Sequence, residues 1–405
     1  MIQKENWMIS DLHIHSRFSQ ACSRNITFEN LVKWAKIKGL HLLGTGDFTH
    51  PVWIEEIKEK LEDRGKGFYY LDDFPFIISG EISLIYTQGR GRRMHLVILV
   101  PSIEVAEKIN GYLDTKGRRD YDGRPIFKIP AGEFVEDMMK ISKEIEVIPA
   151  HIWTPWFSLF GSKSGFDSMK EAFGDQFDNV HAIETGMSSD PEMNWKIKDL
   201  ENKSIVSFSD AHSFWPFRMG REATIFQKCD SYKEVIRQIR ENDFIATIET
   251  DPAYGKYHWD GHRNCDFSCD PKKTRELDGN CPKCGKPLVI GVEYRVEELT
   301  NEESNHQIKK PFYTLLPLHE LITLNLGFGM QSKKVWDVYN NLIREFGNEF
   351  NILLDVSRDD FVKADVDCKL IALILKNRKG NVTVKPGFDG EYGVAQVGDG
   401  QETLF

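Results

Sequence analysis

The chain has 405 residues, 40% of them apolar and 28% charged, with a formal net charge of −10. That balance suits roughly two or three folded domains and excludes a disordered chain. No apolar run reaches the ~18 residues a membrane-spanning helix needs; the most apolar stretch, Thr314 to Met330, is broken by Pro317, His319 and Glu320, so no membrane partner is expected. The first residues lack a basic-then-apolar export signal, which points to a cytoplasmic protein. A generic polyanion binder would carry positive charge, so contact with nucleic acid would have to run through local basic patches or bound cations.

In chain order, β-rich runs are predicted at Trp7–Leu12, His41–Thr45, Phe76–Ser83, His95–Val100, Glu146–Ala150, Val180–Glu184 and Ser204–Ser209. Helical runs alternate with them at Phe28–Lys38, Ile54–Arg64, Glu104–Leu113, Gly132–Lys143, Ser168–Phe173 and Glu192–Glu201. Such alternation predicts an α/β fold built of βα units around a parallel sheet, or a barrel slightly smaller than the eight-stranded one. A helix at Ser231–Glu241 and the run Phe244–Glu249 close this region. Composition shifts near residue 252, which divides the chain into a βα region or barrel (1–252), a cysteine module (253–295), a mainly helical C-terminal domain (296–395) and a flexible tail (396–405). Helices are predicted there at Lys333–Phe346 and Lys363–Leu375.

Metal-ligand residue types sit at the strand ends: Asp11, His13 and His15, then Asp47 and His50, Glu81, His95, His151, Glu184, and Asp210 with His212. A βα fold builds its chemistry at one mouth, from the ends of several strands. Residues two apart on a strand point the same way, so His13 and His15 converge, as do Asp210 and His212. Mixed imidazole and carboxylate ligands suit zinc, manganese or iron, and a carboxylate such as Glu81 can bridge two ions.

The strings Asp11-Leu-His-Ile-His15-Ser16, Gly80-Glu81, Ala150-His151 and Ser209-Asp-Ala-His212 resemble the PHP family, named for polymerase and histidinol phosphatase. That resemblance implies a distorted (βα)7 barrel, two or three divalent ions (Zn, Mn or Mg) and phosphoesterase chemistry. It implies that His13, His15, Glu81 and Asp210 hold one ion, that Glu81, His95 and His151 hold a second, and that His212 serves a third. Gln20-Ala21-Cys22 departs from the family where a third-site ligand would stand, and Asp47-Phe48 replaces an Asp-His pair, with His50 displaced by two. Longer strings, Ile148 to Phe157, Glu184 to Trp195, and Ser209 to Ala223, resemble the endonuclease Q group within it. This implies a DNA repair nuclease cutting 5′ to deaminated bases and abasic sites, with Asp210, His212 and Glu81 as catalytic residues.

Cys265-x3-Cys269 and Cys281-x2-Cys284 predict one closed, structural four-cysteine zinc site. Arg90, Arg92 and Arg93, and Lys116, Arg118, Arg119 and Arg124 on a following loop, are candidate phosphate contacts. Trp153, Trp156, Phe157 and Trp215 are candidate DNA-stacking or wedging aromatics. The loop Gly161–Gly165 and the C-terminal region are candidates for a base pocket. Gln401-Glu-Thr-Leu-Phe405 resembles the short peptide by which bacterial proteins dock on the replication sliding clamp. The rival readings are a small-molecule phosphatase of the same barrel family and a non-catalytic module scaffolding a helicase or polymerase.

Overall fold

Phe28–Lys38 forms a helix because both ends are chemically marked. Thr27 accepts a hydrogen bond from the Asn30 N–H at the start, and Gly39 takes φ +94° at the end. Phe28, Leu31, Val32 and Ala35 recur at helical spacing and are buried. The same logic places the helices Pro51–Lys60, Ile103–Lys116 and Ala131–Ile141. The computed structural model describes residues 4–396 except residue 302. The clamp-like peptide at Gln401–Phe405 lies outside the described residues.

The central sheet is mixed. Trp7–Asp11 pairs parallel with Leu42–Gly44, which pairs parallel with Phe74–Gln88. Phe74–Gln88 and Arg90–Val100 then form a long antiparallel hairpin, and Arg90–Val100 pairs antiparallel with Glu146–Pro149. Ala182–Glu184 and Ser204–Val206 make a separate parallel pair. That pair's chain returns to the first strand through a single parallel bridge, Ile14 to Ala211. On its other edge Trp7–Asp11 pairs antiparallel with Ala223–Gln227, followed by Ala246–Glu249 and Phe312–Thr314.

The expected all-parallel arrangement of seven strands is therefore corrected at Arg90–Val100. The strand begins at Arg90, ahead of His95, because Gly89 at φ +68° turns the chain straight back on itself. Arg90, Arg92 and Arg93 thus sit on a strand instead of a loop.

After the cysteine module, helices Leu318–Leu326, Lys333–Phe346, Glu349–Leu354, Arg358–Lys363 and Cys368–Arg378 follow. The last starts five residues later than the periodicity suggests, because Asp367 caps it by accepting from the Lys369 and Leu370 N–H groups. These helices pack on Phe28–Lys38 through Trp34, Trp215 and Trp336, whose rings lie 5.1–5.6 Å apart. Lys38 is fully buried there, its Nζ 2.7 Å from Glu349 Oε1 and 2.7 Å from the Pro216 carbonyl. Among the described residues no helix is long and apolar enough to cross a membrane.

Candidate metal centre

Past Asp11 the chain stays extended and alternates: Leu12 and Ile14 enter the core, while His13 and His15 face the strand mouths. Gly46 lets the second strand end close in, since a Cβ there would lie 2.5 Å from the Ile14 carbonyl oxygen. Three chemistry-bearing residues at these ends hold left-handed backbones: Asp47 (φ +43°), His151 (φ +33°) and Asp210 (φ +50°). Strained backbone of this kind clusters where a site dictates side-chain direction.

Two donor groups result. His13, His15, Glu81 and Asp210 present atoms that all lie within 4.8 Å of one another, as do Glu81, His95 and His151. His15 Nε2 lies 2.9 Å from Asp210 Oδ1 and 3.2 Å from Glu81 Oε2. Glu81 Oε1 faces His95 Nδ1 at 2.9 Å and His151 Nε2 at 3.3 Å. The two oxygens of Glu81 therefore face different groups, one each.

These residues fit divalent ions. The buried His13 Nε2 and Glu81 Oε1 have no hydrogen-bond partner, and such atoms are costly unless something else satisfies them. His95 Nδ1 and His151 Nε2 point at each other across 3.2 Å. Burial lowers His95 to about 4 despite Glu81, so this imidazole is neutral at physiological pH and offers a lone pair. Burial alone would raise Glu81, but His95, Arg124 and His13 hold it well below the usual carboxylate range. Asp210 is likewise held low, its burial outweighed by His15, His13 and His212.

A second layer orients the first. Glu184 Oε1 accepts from His13 Nδ1 at 2.8 Å and its Oε2 accepts the His151 N–H at 2.9 Å. Asp47 Oδ1 accepts from His15 Nδ1 at 2.9 Å, while its Oδ2 accepts from the Ser16 N–H and the Ser16 and Ser19 hydroxyls. Both imidazoles thereby turn Nε2 toward the donor group. Asp11 accepts from the Ser209 N–H and Gly220 N–H and ties strand ends together, its carboxyl raised to about 6 by burial. Replacing Asp47 by Ala is expected to weaken Mn²⁺ binding about 10–100-fold without unfolding the protein, as read by calorimetric titration.

Beneath this layer Glu249 accepts from the Thr185, Ser207 and Thr247 hydroxyls. Burial nevertheless pushes its carboxyl up to about 8, against the pull of those three donors. An unfolded Glu loses its proton near 4.3. The proton held in the fold therefore stabilises fully below that value, and the stability is lost as pH rises toward 8. We expect denaturation to show a loss of about 2 kcal/mol between pH 6 and 8.5, flattened in Glu249→Gln.

Several residues singled out in the sequence stand elsewhere. Asp47 and His50 are outside both donor groups; His50 stacks on Phe18 at 4.2 Å instead. His212 is also outside them. Its Nδ1 donates to the Asp210 carbonyl at 2.8 Å, which leaves Nε2 to accept. Trp153 is 1% exposed and donates to Asn194, which takes it off the surface, whereas Trp215 is half-buried in the tryptophan cluster. Arg92 is buried against Glu171 and the Gly165 carbonyl, where Arg90 also donates. The Gly161–Gly165 loop is thus held through its Gly165 carbonyl, and it does not line the cavity beside the centre. Arg118 pairs with Asp120, and Arg119 with Asp114. Arg93 lies over the Phe157 ring, and Phe157 sits 4.8 Å from His95. His262, Cys265, Cys281 and Cys284 bring donor atoms within 4.8 Å of one another, and Cys269, buried in the same small cluster as Cys281 and Leu288, turns its Sγ to the Thr274 hydroxyl at 3.3 Å.

The centre opens into a cavity of about 1030 Å³, lined by His95, His151, Asp210 and His212 at one end. Trp156, Tyr257 and Tyr392 supply aromatic surface to it, and Arg124, Arg218, Arg221 and Lys256 supply positive charge. Arg124, one of the basic loop residues expected to contact phosphate, reaches the centre itself: its Nη1 donates to Glu81 Oε2 at 3.0 Å. No local signal marks it, since its loop, Lys116 to Arg124, holds three other arginine or lysine side chains.

Convergent imidazoles and carboxylates around one shared glutamate define a candidate metal centre. Over nearly its whole length the chain is similar to solved structures of endonuclease Q. One is the lesion-specific endonuclease PfuEndoQ from Pyrococcus furiosus, at TM-score 0.87 and 30% identity, covering 96% of this chain and 95% of that one. Another is endonuclease Q in complex with a 27-mer duplex carrying an abasic lesion at its active site, at TM-score 0.87 and 30% identity, covering 97% of each chain. The chain belongs to the endonuclease Q family. Residues 317–381 match the family described as the MJ0043 C-terminal domain. The uncharacterized protein MJ0043 of Methanocaldococcus jannaschii is 34% identical over 248 residues, which is 60% of this chain but only 31% of that protein. The uncharacterized protein YqxK of Bacillus subtilis is 26% identical over 408 residues, covering 95% of this chain and 98% of that one.

Proposed function

We propose that this protein is a DNA repair endonuclease that hydrolyses the phosphodiester bond 5′ to deaminated bases (uracil, hypoxanthine, xanthine) and to abasic sites. The observation that carries the reading is the shared Glu81, with one oxygen toward each donor group, beside a cationic, aromatic-lined cavity that His95, His151 and Asp210 line. Whole-chain similarity to a protein solved with abasic DNA at its active site supports it.

His13, His15, Glu81 and Asp210 would hold one divalent ion, and Glu81, His95 and His151 a second. Bound there, such ions would supply water activation and neutralise charge on the scissile phosphate and leaving oxygen. Glu184 and Asp47 keep the imidazoles in the tautomer that ligation needs. His212 offers Nε2 to the cavity and is kept neutral by burial, which suits it to take up or deliver a proton. Arg124 is placed to exchange Glu81 for a phosphate oxygen. The cavity falls at the upper end of the ~300–1,000 Å³ range of small-ligand sites, room enough for an extruded nucleotide. Deamination converts an amino donor to a carbonyl acceptor and the adjacent ring acceptor to a donor. A pocket pairing with that edge would leave its own polar groups unpaired against cytosine or adenine.

End-labelled duplexes carrying one uracil, one hypoxanthine, one abasic site or none test this, with Mn²⁺ or Mg²⁺ present. A nick only on the 5′ side of the lesion is expected. Turnover of p-nitrophenyl phosphate without DNA cleavage would instead indicate a phosphatase, and DNA binding without hydrolysis a scaffold. In the same assay Arg124→Ala should raise KM and lower the salt slope of DNA binding by about 1, the signature of one lost phosphate contact.

A further inference from the structure

Two strands beside the metal centre are tied to the main sheet by side chains instead of a backbone ladder. Ala182–Glu184 and Ser204–Val206 pair with each other, and among the described residues the one bridge from their chain to the main sheet is Ile14 to Ala211. The gap toward Ala223–Gln227 and Ala246–Glu249 is crossed at Ser207. Its N–H donates to the Thr224 hydroxyl and its carbonyl accepts from that hydroxyl, both at 3.0 Å. Glu249, fully buried at the end of its strand, completes the crossing: its Oε2 lies 3.0 Å from the Ser207 hydroxyl and 2.9 Å from the Thr185 hydroxyl. Thr185 directly follows Glu184, whose two oxygens hold His13 Nδ1 and the His151 N–H.

We propose that Glu249 is a positioning residue for the metal centre: it clasps Thr185 and Ser207, fixes the strand end that carries Glu184, and through Glu184 sets His13 and His151. Backbone bonds, Thr185 N–H to the Val206 carbonyl among them, tie the two strands to each other; Glu249 and Thr224 tie the pair to the main sheet. The clasp is independent of what the protein cleaves, whereas its effect on catalysis rests on the function proposed above.

Proton counting shows how the clasp works. Ser207 Oγ is also 3.1 Å from the Ile248 carbonyl, and one hydroxyl proton cannot serve both that carbonyl and Glu249 Oε2 well. A protonated Glu249 removes the conflict, because its own O–H donates to Ser207 Oγ and the Ser207 proton goes to Ile248. Once ionised, Glu249 draws the Ser207 proton to itself, and the bond to Ile248 is given up.

The surroundings favour the protonated form. Burial pushes the Glu249 carboxyl up to about 8. Glu222 is buried beside it, with Oε1 accepting the Thr250 N–H at 3.1 Å and Oε2 lacking a partner, and burial and then Glu249 raise it well above the usual carboxylate range. Asp190 and Glu184 add negative charge from the neighbouring strand end, and Arg221 is the cation beside Glu222. With one guanidinium among four acids, further ionisation of the pair is disfavoured. The clasp is therefore intact below about 8 and loosens as pH rises through that value.

Three variants of the full chain test this. Glu249→Ala removes the clasp, Thr185→Val removes one hydroxyl at similar volume, and Glu249→Gln supplies an amide that accepts and donates where the protonated carboxyl does. In metal-free protein, hydrogen exchange at the His151 and Ile152 amides, which donate to Glu184, should quicken in Glu249→Ala and Thr185→Val while Phe74–Gln88 stays protected. Mn²⁺ binding should weaken about 10–100-fold in both, and Glu249→Gln should rescue it. With lesion duplexes, kcat of the unaltered protein should fall relative to that of Glu249→Gln as pH rises through 8, at similar KM, because the amide has no proton to lose. Faster exchange and weaker Mn²⁺ binding without lesion cleavage by any form would keep the clasp and remove only the proposed function. Unchanged exchange and Mn²⁺ affinity in Thr185→Val, or parallel pH profiles for the unaltered protein and Glu249→Gln, would overturn the assignment, even if Glu249→Ala fails to fold.

Discussion

Glu81→Ala should lower lesion-strand cleavage by about 1,000-fold or more, since removing several kcal/mol of charge stabilisation costs a factor of ten per 1.4 kcal/mol. The physical ground is that Glu81 belongs to both donor groups, so one substitution damages both. Mn²⁺ titration should fall from two sites per chain to at most one weak site, because neither His13, His15 and Asp210 nor the pair His95 and His151 keeps a complete set. Glu81→Gln distinguishes charge from shape. It preserves volume and one carbonyl oxygen, and it should be nearly as inactive, since an amide neither bridges cations nor neutralises them. Near-normal cleavage by either variant would remove Glu81 from the centre of the mechanism. Circular dichroism should show both variants folded, because Glu81 lies within the 15-residue strand Phe74–Gln88, whose ladder does not depend on that side chain.

The largest expected effect on stability lies far from the chemistry, at Lys38. Its ammonium is buried between the Pro216 carbonyl and Glu349, and Glu349 also accepts from the Tyr339 hydroxyl at 2.8 Å and the Leu318 N–H at 3.0 Å. Lys38→Met leaves that carboxylate buried without a counter-charge and should cost about 3–5 kcal/mol in urea denaturation. The double variant Lys38→Met with Glu349→Leu should recover most of the loss, because two apolar side chains of similar volume avoid the desolvation cost. A single variant as stable as the parent would mean that solvent reaches Glu349. Because the pair joins the helix Phe28–Lys38 to Glu349–Leu354, the destabilised transition should include both the sheet region and the C-terminal helices.

Some of this was legible in the residues themselves. His13 and His15 converge because a strand's two-residue period requires it, and Phe28–Lys38 and Lys333–Phe346 follow from caps and periodicity. Asp47 was visible as a carboxylate at a strand end, but not as the partner of His15. Ligand and orienting residue share one chemistry and differ only in a few ångströms of placement. The hairpin at Gly89 reversed an expected parallel strand, since periodicity reports which side is buried and says nothing of direction. Trp153 and Trp215 look alike as exposed or buried aromatics until their neighbours are known.

What the sequence determined alone was local: which segments extend or coil, which residue types end the strands, and that thiols cluster near residue 265. Tertiary structure decided the rest. It decided that Glu81 turns one oxygen to each imidazole group, that Arg124 reaches it from a distant loop, and that His262 stands beside Cys265, Cys281 and Cys284. The reason is one of range. Backbone sterics and side-chain periodicity act over a few residues, whereas ligation, ion pairing and burial depend on distances between segments that only the folded chain brings together.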